Sequence, residues 1–180
     1  MKFLFLLFLA APAFSQEVSN DVALYNSAQA LQEATYHTEL QHNYISGKGK
    51  VKEKAAATVK ELNLKAFEYY NKLVKEYPDS DYYADALYQK GMIEFWYKSK
   101  SEAKESFTKI LSLLNNDSYK NQALVKLATI AIEEKNYSQA IDYLDESKKH
   151  HKFYTCGNEI ERDKLVLERL YIQANNGLKK

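Results

Sequence analysis

Three segments of this chain share one pattern at a spacing of 37 residues. Each has an alanine within a run of helix-forming residues and a large apolar residue four positions later. The alanines are Ala66, Ala103 and Ala140, and the large residues are Tyr70, Phe107 and Leu144. A fixed period of this length is typical of solenoids, in which one supersecondary unit stacks on the next.

A second helix precedes two of these segments, and it also carries a small residue in a fixed place. Gly91 and Ala128 each stand twelve residues before their alanine, Ala103 or Ala140. Small residues on facing helices allow a close approach, and the large residue one turn later fills the adjoining space. Gly91 costs about 1 kcal/mol in a helix relative to alanine, so we expect it to serve close packing. The alternative is a glycine that only frays the helix.

Few helix breakers interrupt the chain, which has five glycines and two prolines. Pro78 follows Ala66 by twelve residues, where a proline ends the second helix of a repeat and begins a turn. Asp81 and Asn136 are expected as N-caps or turn residues. The fold class is therefore predicted to be an all-α helical-hairpin solenoid of about seven helices. We place these helices near 20–45, 51–76, 81–97, 101–114, 119–134, 137–149 and 158–176.

In these positions the chain resembles the tetratricopeptide repeat (TPR) family over roughly residues 50–150. The match consists of the small residue, the alanine, the large apolar residue and the turn proline, in order and spacing. The chain departs from the family in its period of 37, and in lacking the proline after the second and third copies. The segment EYPDSDYYADALYQKG is most similar to envelope members of the family in Gram-negative bacteria, of the β-barrel-assembly lipoprotein and Tol-associated coordinator types. The resemblance implies a non-catalytic adaptor that binds proteins.

The first fifteen residues have the composition of a secretory signal peptide. Lys2 precedes an apolar run, and Ala13 and Ser15 stand at −3 and −1 of a cleavage site before Gln16. The alternative is an apolar helix docked in the fold. No cysteine lies near the cleavage point, so we expect an exported, periplasmic or envelope-associated chain without a lipid. The expected divisions are a signal peptide (1–15), an N-terminal capping helix (16–49), the repeats (50–150) and a C-terminal capping helix (151–180). Either terminal helix could instead mediate self-association.

Charge and composition argue against several classes of function. Lysine and arginine number 25 against 24 acidic residues, so no basic field favours nucleic acid. No later apolar run is long enough to span a membrane. Cys156 is the single cysteine and cannot form an internal disulfide. His37 and His42 fall on different helix faces, and no catalytic residue, metal site or cofactor is predicted.

A binding groove is predicted on the first helices of the repeats. Its residues recur at three- and four-residue steps, and they are Asp85, Tyr88, Met92, Phe95, Gln122, Val125, Thr129 and Ile132. Such a mixed surface suits an extended peptide or an amphipathic helix, and Tyr88, Met92 and Phe95 are its expected anchors. The alternative for the rings is packing against a neighbouring helix. The alternative function is an accessory or glycan-binding domain of an envelope enzyme or uptake system.

Overall fold

A computed structural model describes residues 19–44, 50–113, 117–150 and 157–179. Over these ranges the chain is helical and contains no strand. The helices are α1 (Asn20–Tyr44), α2 (Lys50–Glu76), α3 (Tyr83–Tyr97), α4 (Lys100–Leu111), α5 (Asp117–Glu133), α6 (Tyr137–Ser147) and α7 (Gly157–Leu178). The all-α prediction is confirmed, and most helix ends lie within about two residues of the predicted ones.

The helices pair in chain order into three hairpins, α1–α2, α3–α4 and α5–α6, and each hairpin packs on the next. The seventh helix lies against both α6 and α5. The sequence predicts α1 as a capping helix outside the repeat pattern. In the structure it occupies the place of a first hairpin helix, with Ala28 fully buried in one cluster with Ala66 and Tyr70.

The repeat positions form the centre of the core. Seven of them have no exposed surface, and these are Ala66, Tyr70, Ala103, Phe107, Ala128, Ala140 and Leu144. Gly91 is also buried, and a Cβ added there would lie 2.8 Å from Cε1 of Phe107. Real Cβ atoms do not approach this closely, so Gly91 is required for the contact between α3 and α4.

The connection between α2 and α3 contains Pro78. The second helix ends at Glu76, and Ser80 then donates a hydrogen bond to Asp21 (2.7 Å) and accepts one from the Tyr82 amide (3.2 Å). Asp81 lies in this turn rather than at the N-cap, which is Tyr82 and has no side-chain cap. Asn136 does cap α6, because its side chain accepts the Gln139 amide at 3.4 Å.

Several predictions lie outside the described residues. These concern the signal peptide (1–15), the side chain of His42 and the single cysteine, Cys156. In the part of the chain that is described, no helix combines the length and the apolar character needed to cross a bilayer.

Candidate protein-interaction site

The odd-numbered helices lie side by side and share one surface, which we term the odd-helix face. Direct contacts join its members: Tyr25 on α1 donates to Asp85 on α3, and the Tyr88 ring lies 5.9 Å from the Tyr119 ring on α5. The face comprises Asp85, Gln89, Met92 and Trp96 on α3, Gln122, Lys126 and Thr129 on α5, and Asp163 and Val166 on α7. It therefore contains four of the eight predicted groove residues, Asp85, Met92, Gln122 and Thr129.

Two neighbouring aromatics on α3 differ sharply in exposure. Phe95, a predicted anchor, is 9% exposed and belongs to the core between α3, α4 and α5. Trp96 is 65% exposed, and its ring meets that of Phe95 edge-on at 4.9 Å. The ring presented on the surface is therefore that of Trp96, whereas the structure places Phe95 beneath it.

The other two predicted anchors, Tyr88 and Met92, are half-buried and pack against the same core. The Tyr88 ring lies 5.9 Å from that of Phe107. Burial raises the pKa of the Tyr88 phenol, and the nearby Asp85 and Asp163 carboxylates add to this effect. Tyr88 is therefore a neutral hydrogen-bonding group with one edge available at the surface.

A cavity of about 240 Å³ opens beside Tyr88, between α3, α5 and α7. Its walls combine apolar and polar side chains: Tyr88, Asn121, Gln122, Val125, Lys126, Asp163, Val166 and Leu167. Apolar walls with a few polar groups are typical of binding sites, where the polar groups fix the orientation of the bound segment.

The predicted groove residues of α5 are only partly open. Val125 and Ile132 pack against the buried cluster of Ala128, Leu144 and Leu170, and α7 covers this region. The Thr129 hydroxyl donates to the Val125 carbonyl at 2.9 Å. Gln122 remains in the cavity wall.

Asp85 on α3 connects its hairpin to the two neighbouring hairpins through hydrogen bonds. Besides Tyr25, its carboxylate accepts from the Gln89 amide at 3.2 Å and interacts with the Tyr119 hydroxyl. Burial and this carboxylate raise the pKa of Tyr119 to about 12. Gln89 in turn accepts from Gln32 on α1 at 3.3 Å. With its oxygens engaged in this network, Asp85 positions the odd helices.

Five residues of the face are missing from the sequence prediction, and two of them, Trp96 and Lys126, lie side by side. The Lys126 ammonium lies 6.0 Å from the Trp96 ring centroid and 5.7 Å from that of Phe95, within cation–π range. The signal for Trp96 was its place four residues after Met92. Lys126 likewise follows Gln122 by four residues.

A second cleft, of about 440 Å³, lies between α2, α3 and α4. At its base Lys90 contacts Glu94 at 2.5 Å, and Ser106 donates to Glu94 at 2.6 Å. Lys90 also donates to Ser106 at 2.9 Å, so the three groups satisfy one another. Glu94 is 2% exposed. This closed triangle of Lys90, Glu94 and Ser106 links α3 to α4. Over the described ranges, no group of three or more histidine, cysteine, aspartate or glutamate side chains is placed to hold a metal ion.

Stacked two-helix units joined through a small residue on each helix define a helical-hairpin repeat protein. The chain belongs to the tetratricopeptide repeat-like domain family, whose model matches residues 20–169. This match confirms the family resemblance, and membership indicates a module for protein–protein interaction. Comparisons with curated proteins and with solved structures give no significant match.

Proposed function

We propose that this chain is a non-catalytic adaptor that holds a peptide segment or a partner domain against the odd-helix face. The observation that supports this most directly is Trp96, a 65% exposed indole beside the Lys126 ammonium. Tryptophan is among the residues most enriched at the energetic centres of interfaces. It stands next to Phe95, whose burial gives the indole a rigid base.

The shape of the surface favours a segment with alternating apolar and polar side chains. An apolar side chain of the partner covers Trp96 and Met92, and a polar one reaches the cavity beside Tyr88 and Gln122. Met92 and Trp96 bury area with adaptable contacts, and the Tyr88 phenol provides direction through a hydrogen bond. No step of this function requires bond chemistry.

We further propose that the chain acts in the periplasm of a Gram-negative envelope, without a lipid anchor. The support is the charged and apolar pattern of residues 1–15 with Ala13 and Ser15 before Gln16. N-terminal sequencing of the protein recovered from an envelope fraction tests this proposal. A mature chain beginning at Gln16 is expected, and a chain retaining Met1 contradicts it.

Site-directed photocrosslinking in living cells tests the adaptor function. A photoreactive amino acid at Met92 should give discrete protein adducts, whereas the same group at Tyr69 should not. Tyr69 is 40% exposed on α2, an even-numbered helix, and is therefore a matched control. Trp96→Ala should abolish the Met92 adducts, and Tyr69→Ala should leave them unchanged. Adducts that survive Trp96→Ala, or none at Met92, contradict the proposal.

A glycan ligand is the second candidate, because an exposed indole is also what a sugar face stacks against. Trp96 is the single tryptophan of the chain, so its fluorescence reports directly on such stacking. A saturable change with a defined oligosaccharide, together with calorimetric binding of the same sugar that Trp96→Ala abolishes, would favour this candidate. An unresponsive indole across a broad glycan panel removes it.

A further inference from the structure

The last helix carries an unusual share of the exposed hydrophobic surface. Within the described residues, eight large hydrophobic side chains are exposed, and five of them lie on α7. These five are Ile160, Leu165, Val166, Ile172 and Leu178. At the opposite end of the stack, the described side chains of α1 include one such residue, Tyr36. The two ends of the solenoid are therefore closed differently.

Leu165 and Ile172 form a line on the outer side of α7. They are seven residues apart and are 59% and 53% exposed. Seven residues are close to two helical turns, so the two side chains point the same way. The buried residue Ala174 lies nine positions after Leu165, which is about 180° around the helix. The line therefore faces away from the hairpins.

Charges of opposite sign flank this line on its two sides. Glu161 and Glu168 stand four residues before and three after Leu165, which places both on one flank. Arg162 and Arg169 stand three before and four after, which places both on the other flank. All four side chains are exposed, and Glu161 has Lys164 at 3.7 Å on its own helix. The α7 line with its two flanks is what we term the α7 seam.

We propose that the α7 seam binds the α7 seam of a second copy of this chain, in a parallel two-fold pair. A two-fold axis along the helices turns the glutamate flank of one copy toward the arginine flank of the other, on both sides of the seam. Antiparallel pairing would instead place like charges together. The sequence is thus self-complementary in one orientation, as in helix pairs whose flanking charges set the direction.

The body of the protein holds α7 firmly enough to serve as such an interface. The Tyr171 hydroxyl donates to Asp145 on α6 at 2.7 Å, and Lys148 lies 4.3 Å from the Tyr171 ring centroid. At the end of the helix, Gly177 lies directly against the Tyr137 ring, where a larger residue would collide with it. Two exposed aliphatic side chains per copy make a small contact, so dissociation in the range of about 10–100 µM is expected.

Sedimentation velocity tests the proposal. The protein is prepared from cells that express the full sequence and is measured at concentrations from about 1 µM to about 500 µM. The chain should shift from monomer to dimer over this range. Glu161→Arg with Glu168→Arg should weaken association about tenfold or more, as should Arg162→Glu with Arg169→Glu. Mixing these two variants should restore it, because each then supplies the other's opposite charge. Glu61→Arg with Glu68→Arg on α2, equally spaced and exposed, should have no effect.

Oxidative crosslinking tests the orientation. In a Cys156→Ser background, Leu165→Cys alone should form a covalent dimer, because parallel pairing brings this position next to its equivalent. Crosslinking only between Leu165→Cys and Ile172→Cys chains would indicate antiparallel pairing and overturn the proposal. A monomer up to the highest concentration, or association indifferent to charge reversal, overturns it as well. Trp96→Ala should leave dimerisation intact, which separates this test from that of the odd-helix face.

Discussion

The hairpins α3–α4 and α5–α6 repeat one backbone arrangement with different chemistry. At the first pair of equivalent positions, α3–α4 combines Gly91 with Phe107, and α5–α6 combines Ala128 with Leu144. The large Phe107 ring packs against Gly91, which has no side chain, and the smaller Leu144 packs against Ala128, which has a methyl group. The summed volume is thus roughly maintained, as close packing requires.

The second difference is one of polarity. Lys90, Glu94 and Ser106 form the closed polar triangle of α3–α4. A shift of 37 residues leads to Leu127, Ala131 and Tyr143 in α5–α6, of which Leu127 and Ala131 are buried. Of these three pairs of positions, only Glu94 and Ala131 are both buried, so the repeat leaves both the burial and the chemistry of these positions open to change. The polar version borders the cleft between α2, α3 and α4, where water can reach part of Lys90.

The largest effect is expected from breaking the polar triangle. Glu94→Ala leaves the Lys90 ammonium without its carboxylate at a largely buried position, so the free energy of unfolding should fall by about 3 kcal/mol. Adding Lys90→Leu converts the site to the type found in α5–α6 and should regain most of this loss. Chemical denaturation of both variants measures the difference, with the exposed Glu61→Ala as control. A double variant no more stable than Glu94→Ala would show that the two hairpins cannot exchange their chemistry.

The next effect concerns the glycine contact. Gly91→Ala forces a methyl group against the fully buried Phe107 ring, which outweighs the gain in helix propensity and should lower stability by about 1–2 kcal/mol. Phe107→Leu should be less harmful when combined with Gly91→Ala than alone, because the pair then matches Ala128 and Leu144. Thermal and urea unfolding of the double-mutant cycle checks this coupling. Additive effects would contradict the volume exchange.

A smaller effect is expected at alkaline pH from Tyr119, which stands in α5 where Tyr82 stands before α3. Its pKa rises from 10.0 to about 12 in the folded chain, so folding favours the neutral phenol. The stability it contributes is complete below pH 10.0 and is lost as the pH rises toward about 12. Tyr119→Phe should therefore flatten this part of the stability profile. Urea unfolding at successive pH values measures it, with Tyr36→Phe as an exposed control, and an unchanged slope would be the contrary result.

The smallest effect on stability is expected at Trp96, whose equivalent in α5 is Glu133. Trp96→Glu gives α3 the residue that α5 carries at the equivalent position. Because Trp96 is 65% exposed, the free energy of unfolding should change by no more than about 0.5 kcal/mol. Photocrosslinking through Met92 should nevertheless be lost. A large drop in the melting temperature would instead mean that the indole supports the core and that the odd-helix face has another anchor.

The architecture could be predicted from the sequence because its signals are local and repeated. The period of 37, Gly91 and the large residue at Phe107 each carry their own physical reason. The exposed side of α3 is harder to predict. From Asp85, steps of three, four and three residues lead to Tyr88, Met92 and Phe95. Steps of four, three and four residues lead instead to Gln89, Met92 and Trp96. Both sets fit a period near 3.6, and only the neighbouring helices decide between them.

Other features depend on contacts between residues distant in sequence. The covering of Val125 and Ile132 by α7 follows from where the last helix packs, and no local pattern specifies it. Glu94 follows Lys90 by four residues, which is ordinary for a solvent-exposed pair. Its burial becomes evident only when Ser106 is brought beside it.

The network around Asp85 has a mechanical consequence. Tyr25 and Tyr119 contact Asp85 itself from the helices on either side, and Gln32 donates to its neighbour Gln89, so hydrogen bonds as well as packing set the spacing between successive hairpins. Helical-repeat proteins flex by adding small rotations between neighbouring units. The hydrogen bonds around Asp85 limit these rotations between α1, α3 and α5. The helices α1 to α5 should therefore behave as one rigid unit. The distance of Trp96 from the neighbouring helices should then be the same with and without a bound partner.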